Sequence, residues 1–258
     1  MKVLAVSEQS WPEGGGGTLA THSILGLLAE TQTVETTVVT GTRVPETLNG
    51  VKHIYTQMLR TDNKVQLWIN LASLARQSWF LKLLNRSDAI YIPRYCYPLI
   101  PLAKKSGKRV VVHLHDYQPI SYNATIFHSS VGISDGDFTD ELFYEIMEHE
   151  STARAVEGAV LSPLKIFSKS WVMQSDRVIC VSERQAEIIR DRMPGLSSKL
   201  EVIYNPPPAI PTVERNLNKP AFLYLGGDSY VKGFGIFLRV SKKVLKRPLY
   251  VKFLITRD

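Results

Sequence analysis

Arg109–Leu114 reads Arg-Val-Val-Val-His-Leu, a near-continuous β-branched run. A strand with one wet face alternates apolar and polar residues, whereas a strand that is apolar throughout is covered on both faces. Cover on both faces comes from helices packed above and below a parallel sheet, so this run commits the chain to an α/β layered fold. Similar runs punctuate the rest. Lys2–Ser7, Val34–Thr40, Val51–Thr56, Asp88–Pro93, Asp176–Val181 and Leu200–Tyr204 are of strand length. Between them lie segments with helical spacing. Thr18–Glu30 carries Leu19, Ile24, Leu27 and Leu28; Lys64–Leu84 carries Leu67, Leu71, Leu74, Trp79, Leu81 and Leu84. Tyr97–Ser106 is started by prolines, Val160–Gln174 is helical, and Glu183–Arg192 opens at Ser182 and ends at Pro194-Gly195. The expected fold class is α/β, a Rossmann-like parallel sheet flanked by helices.

Composition narrows the function classes. With 258 residues the chain holds one large domain or two smaller ones, and 44% apolar with 21% charged residues is a soluble globular balance. The first residues, Met-Lys-Val-Leu-Ala-Val-Ser-Glu, turn polar too soon for a secretory leader. No apolar run reaches the ~18 residues of a membrane span. Cys96 and Cys180 provide neither a disulfide framework nor a Cys-type metal site. A cytoplasmic setting is the default. The net charge of +7 is placed unevenly: from Pro206 onward ten Lys/Arg face three Asp/Glu, which accounts for the whole excess. Arg239, Lys242, Lys243, Lys246 and Arg247 fall on one predicted helix. A solvated helix face explains them best; peripheral contact with an anionic membrane, at its inner face, is the alternative. No nucleic-acid motif accompanies the charge, so no nucleic-acid partner is expected. Trp68, Trp79, Arg76 and Lys82 permit an interfacial reading of their helix, but packing on the sheet is the better one.

Ligands of open α/β sheets bind beyond the carboxyl ends of the strands. After the first strand comes Ser-Trp-Pro-Glu-Gly-Gly-Gly-Gly, Ser10 to Gly17, joining strand to helix. Glycines let backbone approach a ligand closely. The spacing is not that of a dinucleotide fingerprint, and no Gly-Lys-Ser/Thr closes it as a P-loop would. After Arg109–Leu114 come His115 and Asp116, a pair that fits a ligand cleft or a surface turn. Asp135-Gly136-Asp137 has the form of a metal-holding Asp-x-Asp but opens a helix, where acidic residues serve as caps. The acidic run Glu141, Glu145, Glu148 and Glu150 reads as a solvated helix face. Asn123-Ala124-Thr125 fits a glycosylation acceptor without meaning in a cytosolic protein. Three prolines after Asn205, with Pro211, make a stiff linker. The expected division is an N-terminal domain over 1–205, a linker over 206–220, and the beginning of a second Rossmann-like domain over 221–258. That second part opens as Phe-Leu-Tyr-Leu-Gly-Gly-Asp-Ser-Tyr-Val-Lys-Gly from Phe222: strand, tight loop, helix start. Helix-terminal N–H groups beside Lys232 form a seat for phosphate, with a plain turn as the bland alternative.

Five stretches in order resemble a glycosyltransferase of family 4 with the GT-B fold. They are Gly14–Gly17; Val111-Val112-His113-Leu114-His115-Asp116; Asp176-Arg177-Val178-Ile179-Cys180-Val181-Ser182-Glu183, similar to the family's A-D-x-V-I-x-V-S; Val202-Ile203-Tyr204-Asn205; and Phe222–Gly233. The resemblance runs over essentially the whole chain. It implies two facing Rossmann-like domains, with a UDP- or GDP-sugar donor mainly on the second and a glycan or lipid-linked acceptor on the first. It implies retention of configuration, no cofactor and no metal. Residue by residue, Gly15, Gly16 and Gly17 would line the donor phosphates or the acceptor. His115 would be the catalytic residue near the transferred sugar, with Asp116 and Asn205 among the substrate contacts. Gly227, Lys232 and Gly233 would hold the diphosphate, Lys232 neutralising it as it leaves.

Two departures qualify this. Gly227-Asp228 stand where the family places an arginine, and the family's Glu-x7-Glu motif is absent from the segment ending in Thr256-Arg257-Asp258. The expectation is therefore a second domain cut short, and a chain inactive by itself unless a partner supplies the remainder. A non-catalytic sugar- or nucleotide-binding or assembly subunit and a GT-B-like nucleotide-sugar epimerase are the competing functions. The sequence leaves the sugar, base, acceptor and oligomeric state open.

Overall fold

The computed structural model describes residues 1–126, 138–207, 221–246 and 251–255, with the backbone of two short strands between 128 and 133. The chain forms two compact units: Met1–Asp137 with Leu161–Pro208, and Phe138–Val160 with Ala209–Asp258.

The first unit begins with β1 (Lys2–Ser7), α1 (Gly16–Glu30), β2 (Glu35–Thr40) and β3 (Val51–Tyr55). It continues with α2 (Lys64–Leu74), α3 (Ser78–Arg86), β4 (Ala89–Ile92), α4 (Ile100–Lys105) and β5 (Arg109–Leu114). A small antiparallel pair follows, β6 (His128–Ser129) and β7 (Gly132–Ile133). Beyond α5 (Phe138–His149) and α6 (Thr152–Leu161) come α7 (Lys165–Met173), β8 (Arg177–Cys180), α8 (Glu183–Arg192) and β9 (Leu200–Val202). Seven of these strands form one sheet in the order β3-β2-β1-β4-β5-β8-β9, every neighbouring pair parallel. This is the expected Rossmann-like sheet.

Side-chain alternation divides the core. Leu4 and Val6 of β1, with Ile90, Ile92, Val110, Val112 and Leu114, pack beneath Leu67, Leu71, Phe80, Ala103, Val172 and Ile189 of the helices on one face. Val3, Ala5, Val38 and Tyr91 turn to the opposite face, with Leu25 of α1. Each fully buried Leu, Ile or Phe stabilises by about 1.5–3 kcal/mol. The chain leaves β1 towards β2 and β3, then crosses back to β4. That switch point opens a crevice beyond the carboxyl ends of β1 and β4.

Two expected helices are broken. Lys64–Leu84 divides at Ala75–Gln77, where Ala75 N donates to Leu71 O and Gln77 N to Leu74 O. On an unbroken helix Phe80 would lie opposite Leu67, Leu71 and Leu74, with Leu84 off to one side; the turn brings both into the core. Pro163 makes a short 3-10 turn at Ser162–Leu164 between α6 and α7.

The second unit holds α5, most of α6, and β10 (Ala221–Tyr224), α9 (Phe234–Leu245) and β11 (Lys252–Ile255). β10 and β11 pair in parallel around α9, a single β-α-β unit. Aromatic rings hold it: Phe222 stacks on Phe253 at 5.4 Å and Tyr224 on Phe237 at 4.8 Å. The acidic run is a solvated face only in part, with Glu150 exposed just beyond α5. Glu141 and Glu145 are buried, and Glu145 accepts from Arg154 Nε at 3.1 Å. Asp135-Gly136-Asp137, Pro208–Pro211 and Arg247 lie outside the described residues.

Candidate functional site

The loop after β1 is tied down before it reaches the glycines. Ser10 N donates to Thr42 Oγ1 at 2.9 Å, and Thr42 Oγ1 donates to Glu13 Oε2 at 3.0 Å. Gly14 has φ +85°, a left-handed conformation natural to glycine, and a Cβ there would collide with Gln9 and Thr18. Helix α1 then begins inside the glycine run. Gly15 is its N-cap, while Gly16 and Gly17 form its first turn. Among the described residues nothing lies within 4 Å of a Cβ placed on Gly15 or Gly16, so the helix start is open there. Gly17 is the reverse: its Cβ would lie 3.2 Å from His115 Cβ. The glycine lets α1 press its first turn onto the histidine beyond β5.

His115 Nε2 lies 3.3 Å from Thr21 Oγ1, and its ring sits 4.2 Å from that of His113. His113 Nδ1 in turn meets the Tyr91 hydroxyl at 2.8 Å. Tyr91, His113 and His115 all point to the α1 side of the sheet, as the two-residue period requires. Burial, then the Arg94 charge, pushes the His115 pKa down to about 4. Burial, then His115, pushes His113 down to about 3. Both rings are therefore neutral at pH 7. Asp116 is tied to its own turn and to α8: its Oδ1 accepts from Gln118 N at 3.0 Å, and its carbonyl accepts from Gln185 Nε2 at 3.1 Å.

At the switch point itself, Glu8 after β1 and Arg94 after β4 form an ion pair with Glu8 buried. Burial raises the Glu8 pKa, and Arg94 opposes the rise. A cavity of about 200 Å³ opens beside the pair, lined by Gln9, Asn63, Lys64 and Tyr95 among others. The Lys64 ammonium lies 4.8 Å from the Tyr122 ring.

The structure thus brings Gly15, Gly16, Gly17, His115 and Asp116 together in the first unit. Asn205 stands apart on the exposed segment following β9, the sheet edge. Gly227, Lys232 and Gly233 share one loop of the second unit. Gly227 has φ +61°, and Gly233, at φ +87°, is the N-cap of α9. Lys232 is exposed there, its N–H 3.3 Å from Ser229 Oγ. Sequence reasoning passed over Thr21, the Tyr91–His113 pair and the Glu8–Arg94 pair. The last two left a trace: polar residues inside apolar strand runs, and opposite charges just beyond two strands.

Residues 14–207 match the model of Glycosyltransferase Family 4. No curated protein sequence matches the chain. Among solved structures, the Anabaena protein HepE in complex with UDP and glucose is similar at TM-score 0.53 and 16% identity, over 99% of this chain and 60% of its own. The lipopolysaccharide outer core galactosyltransferase WaaB, in its apo form, is similar at TM-score 0.52 and 17% identity, over 99% and 60%. Sucrose-phosphate synthase from Thermosynechococcus elongatus gives TM-score 0.58 and 12% identity, over 100% and 71%. The chain spans 60% of the length of the HepE and WaaB chains it matches.

Proposed function

The chain belongs to glycosyltransferase family 4, and we propose that it takes part in moving a sugar from a nucleoside-diphosphate donor to an acceptor hydroxyl, with retention of configuration. The observation that carries this is His115: neutral, largely enclosed, and packed under the open N-terminus of α1 at the carboxyl ends of the strands. Helix-terminal N–H groups at Gly16 and Gly17 favour negative charge, which suits a phosphate of the donor or an anionic acceptor group. His115 would contact the transferred sugar, with Asp116 shaping the turn beside it. In the second unit, Lys232 and the α9 N-terminus would stabilise the diphosphate as it departs, with Gly227 and Gly233 giving the loop its left-handed turns. Asn205 would contact substrate from the segment after β9. On this reading 1–205 carries the acceptor, a glycan or lipid-linked sugar, and 221–258 begins the donor domain. The UDP of the HepE structure makes UDP-sugars the first donors to try, GDP-sugars the second.

The test is binding followed by turnover. Calorimetry with UDP and GDP should show one nucleotide binding, and Lys232→Ala should weaken it by roughly 1.5–3 kcal/mol if a charge-assisted hydrogen bond is lost. Neutralising Arg239, Lys242, Lys243 and Lys246 should leave nucleotide affinity unchanged and lower attachment to anionic vesicles in a salt-sensitive way. In transfer assays with labelled UDP- and GDP-sugars, run on a form of the enzyme with a complete donor domain, His115→Ala should slow transfer at least tenfold. Transfer at the wild-type rate in that variant would remove His115 from the site, and nucleotide binding without turnover would favour a binding subunit.

A further inference from the structure

Thr21 lies one turn along α1 from Gly17, and its hydroxyl donates to the Gly17 carbonyl at 2.9 Å. A hydroxyl has one proton to give. The same oxygen meets His115 Nε2 at 3.3 Å. With its proton in the shorter bond, it has only lone pairs to offer the imidazole. Nε2 must then carry hydrogen, and the neutral ring keeps its bare lone pair on Nδ1. The other nitrogen agrees. His115 Nδ1 is enclosed and meets no hydrogen-bond partner among the described residues. Of the two ways to leave a buried group unpaired, an orphaned acceptor is commoner than an orphaned N–H.

We propose that Thr21 is a positioning residue that fixes His115 as the Nε2–H tautomer. His115 then gives its single N–H to Thr21 rather than to substrate. Its one lone pair is enclosed, so it does not take the proton from an acceptor hydroxyl. The identity of that substrate rests on the glycosyl-transfer reading; the tautomer does not. The ring has little freedom to change its presentation, with the His113 ring tilted against it at 4.2 Å and Gly17 against its Cβ. The charged group that bears on it is Arg94, whose positive charge further disfavours the imidazolium.

Long-range 1H–15N spectra of the full chain labelled with 15N-histidine at pH 7 test this. The expected His115 pattern is a protonated Nε2, a bare Nδ1 and an Hε2 resonance protected from solvent exchange. Thr21→Ser keeps the hydroxyl and should preserve all three. Thr21→Val is of similar size without the hydroxyl and should lose the protected Hε2, its urea unfolding midpoint reporting separately on the fold. Where transfer is measurable, Thr21→Val should lower kcat at least fivefold at unchanged nucleotide affinity, and Thr21→Ser should restore most of it. A wild-type Nδ1–H tautomer, or a protected Hε2 in Thr21→Val, overturns the proposal. If Thr21→Val does not fold, the wild-type and Thr21→Ser spectra decide. The tautomer is read without any turnover, so failure of the transferase reading would leave the proposal standing.

Discussion

Two imidazoles with lowered pKa values give the first unit a built-in acid sensitivity. In the folded chain His113 titrates at about 3 and His115 at about 4, against 6.5 for an ordinary imidazole. Between pH 6.5 and 4 the unfolded chain binds more protons than the folded one, so stability is fully present above pH 6.5 and is lost as pH falls through that window. For His113, which is 1% exposed, the loss by pH 4 is on the order of 3 kcal/mol. His113→Leu alone would take the ring partner from the Tyr91 hydroxyl and leave it Thr21, at a cost of about 0.5–1.5 kcal/mol. The double variant Tyr91→Phe/His113→Leu removes both partners. It should match wild type within about 1 kcal/mol at pH 7 and unfold with a flatter pH dependence. Urea titrations at pH 7, 5.5 and 4 check this. A double variant as acid-labile as wild type would place the sensitivity elsewhere.

At the scale of the element, α1 separates two kinds of glycine that look alike in the sequence. Gly16 has open space around its Cβ position, and alanine is the better helix former by about 1 kcal/mol, so Gly16→Ala should be neutral or mildly stabilising. Gly17→Ala gains the same propensity but forces a methyl to 3.2 Å from His115 Cβ. It should destabilise relative to Gly16→Ala by about 1–3 kcal/mol, measured by urea unfolding. Equal midpoints for the two variants would mean that α1 can lift from the histidine without cost. The contrast also shows what was legible. The strands stood out as short runs rich in apolar or β-branched residues, and His115 and the glycine loop because they follow such runs. The break between α2 and α3 was not read: its only trace is the phase shift from Leu74 to Phe80, which the continuing apolar pattern concealed. The burial of Glu145 was not legible, because Arg154 comes from the next helix. Nor was Thr21, whose contact with His115 depends on how α1 lies across β5. A glycine run reads as a loop until Thr18 N donates to the Gly15 carbonyl at 3.0 Å and starts the helix inside it.

For the molecule as a whole, the two units differ in how well their sheets are covered. In the first, Leu4, Val6, Ile90, Ile92, Val110, Val112 and Leu114 are all 0% exposed. In the second, Phe222 and Leu223 of β10 are 55% and 59% exposed, and Leu254 and Ile255 of β11 are 49% and 44%. A two-stranded sheet is marginal without further layers, and the free energy of local opening follows how much apolar surface an element buries. The ring pairs Phe222–Phe253 and Tyr224–Phe237 add only about 0.5–1.5 kcal/mol each beyond their burial. Amides of β4 and β5 should therefore exchange with solvent deuterium only through global unfolding. Those of β10 and β11 should exchange through a separate opening at least a hundredfold more populated, with little dependence on added denaturant. Phe237 touches the rings of both Tyr224 and Phe253, so Phe237→Ala should speed exchange across 221–246 and leave β1, β4 and β5 as they were. Hydrogen-exchange mass spectrometry resolves the two regions. Protection of β10 equal to that of β5, or a Phe237→Ala variant that loosens both, would show instead that the two units open as one cooperative body.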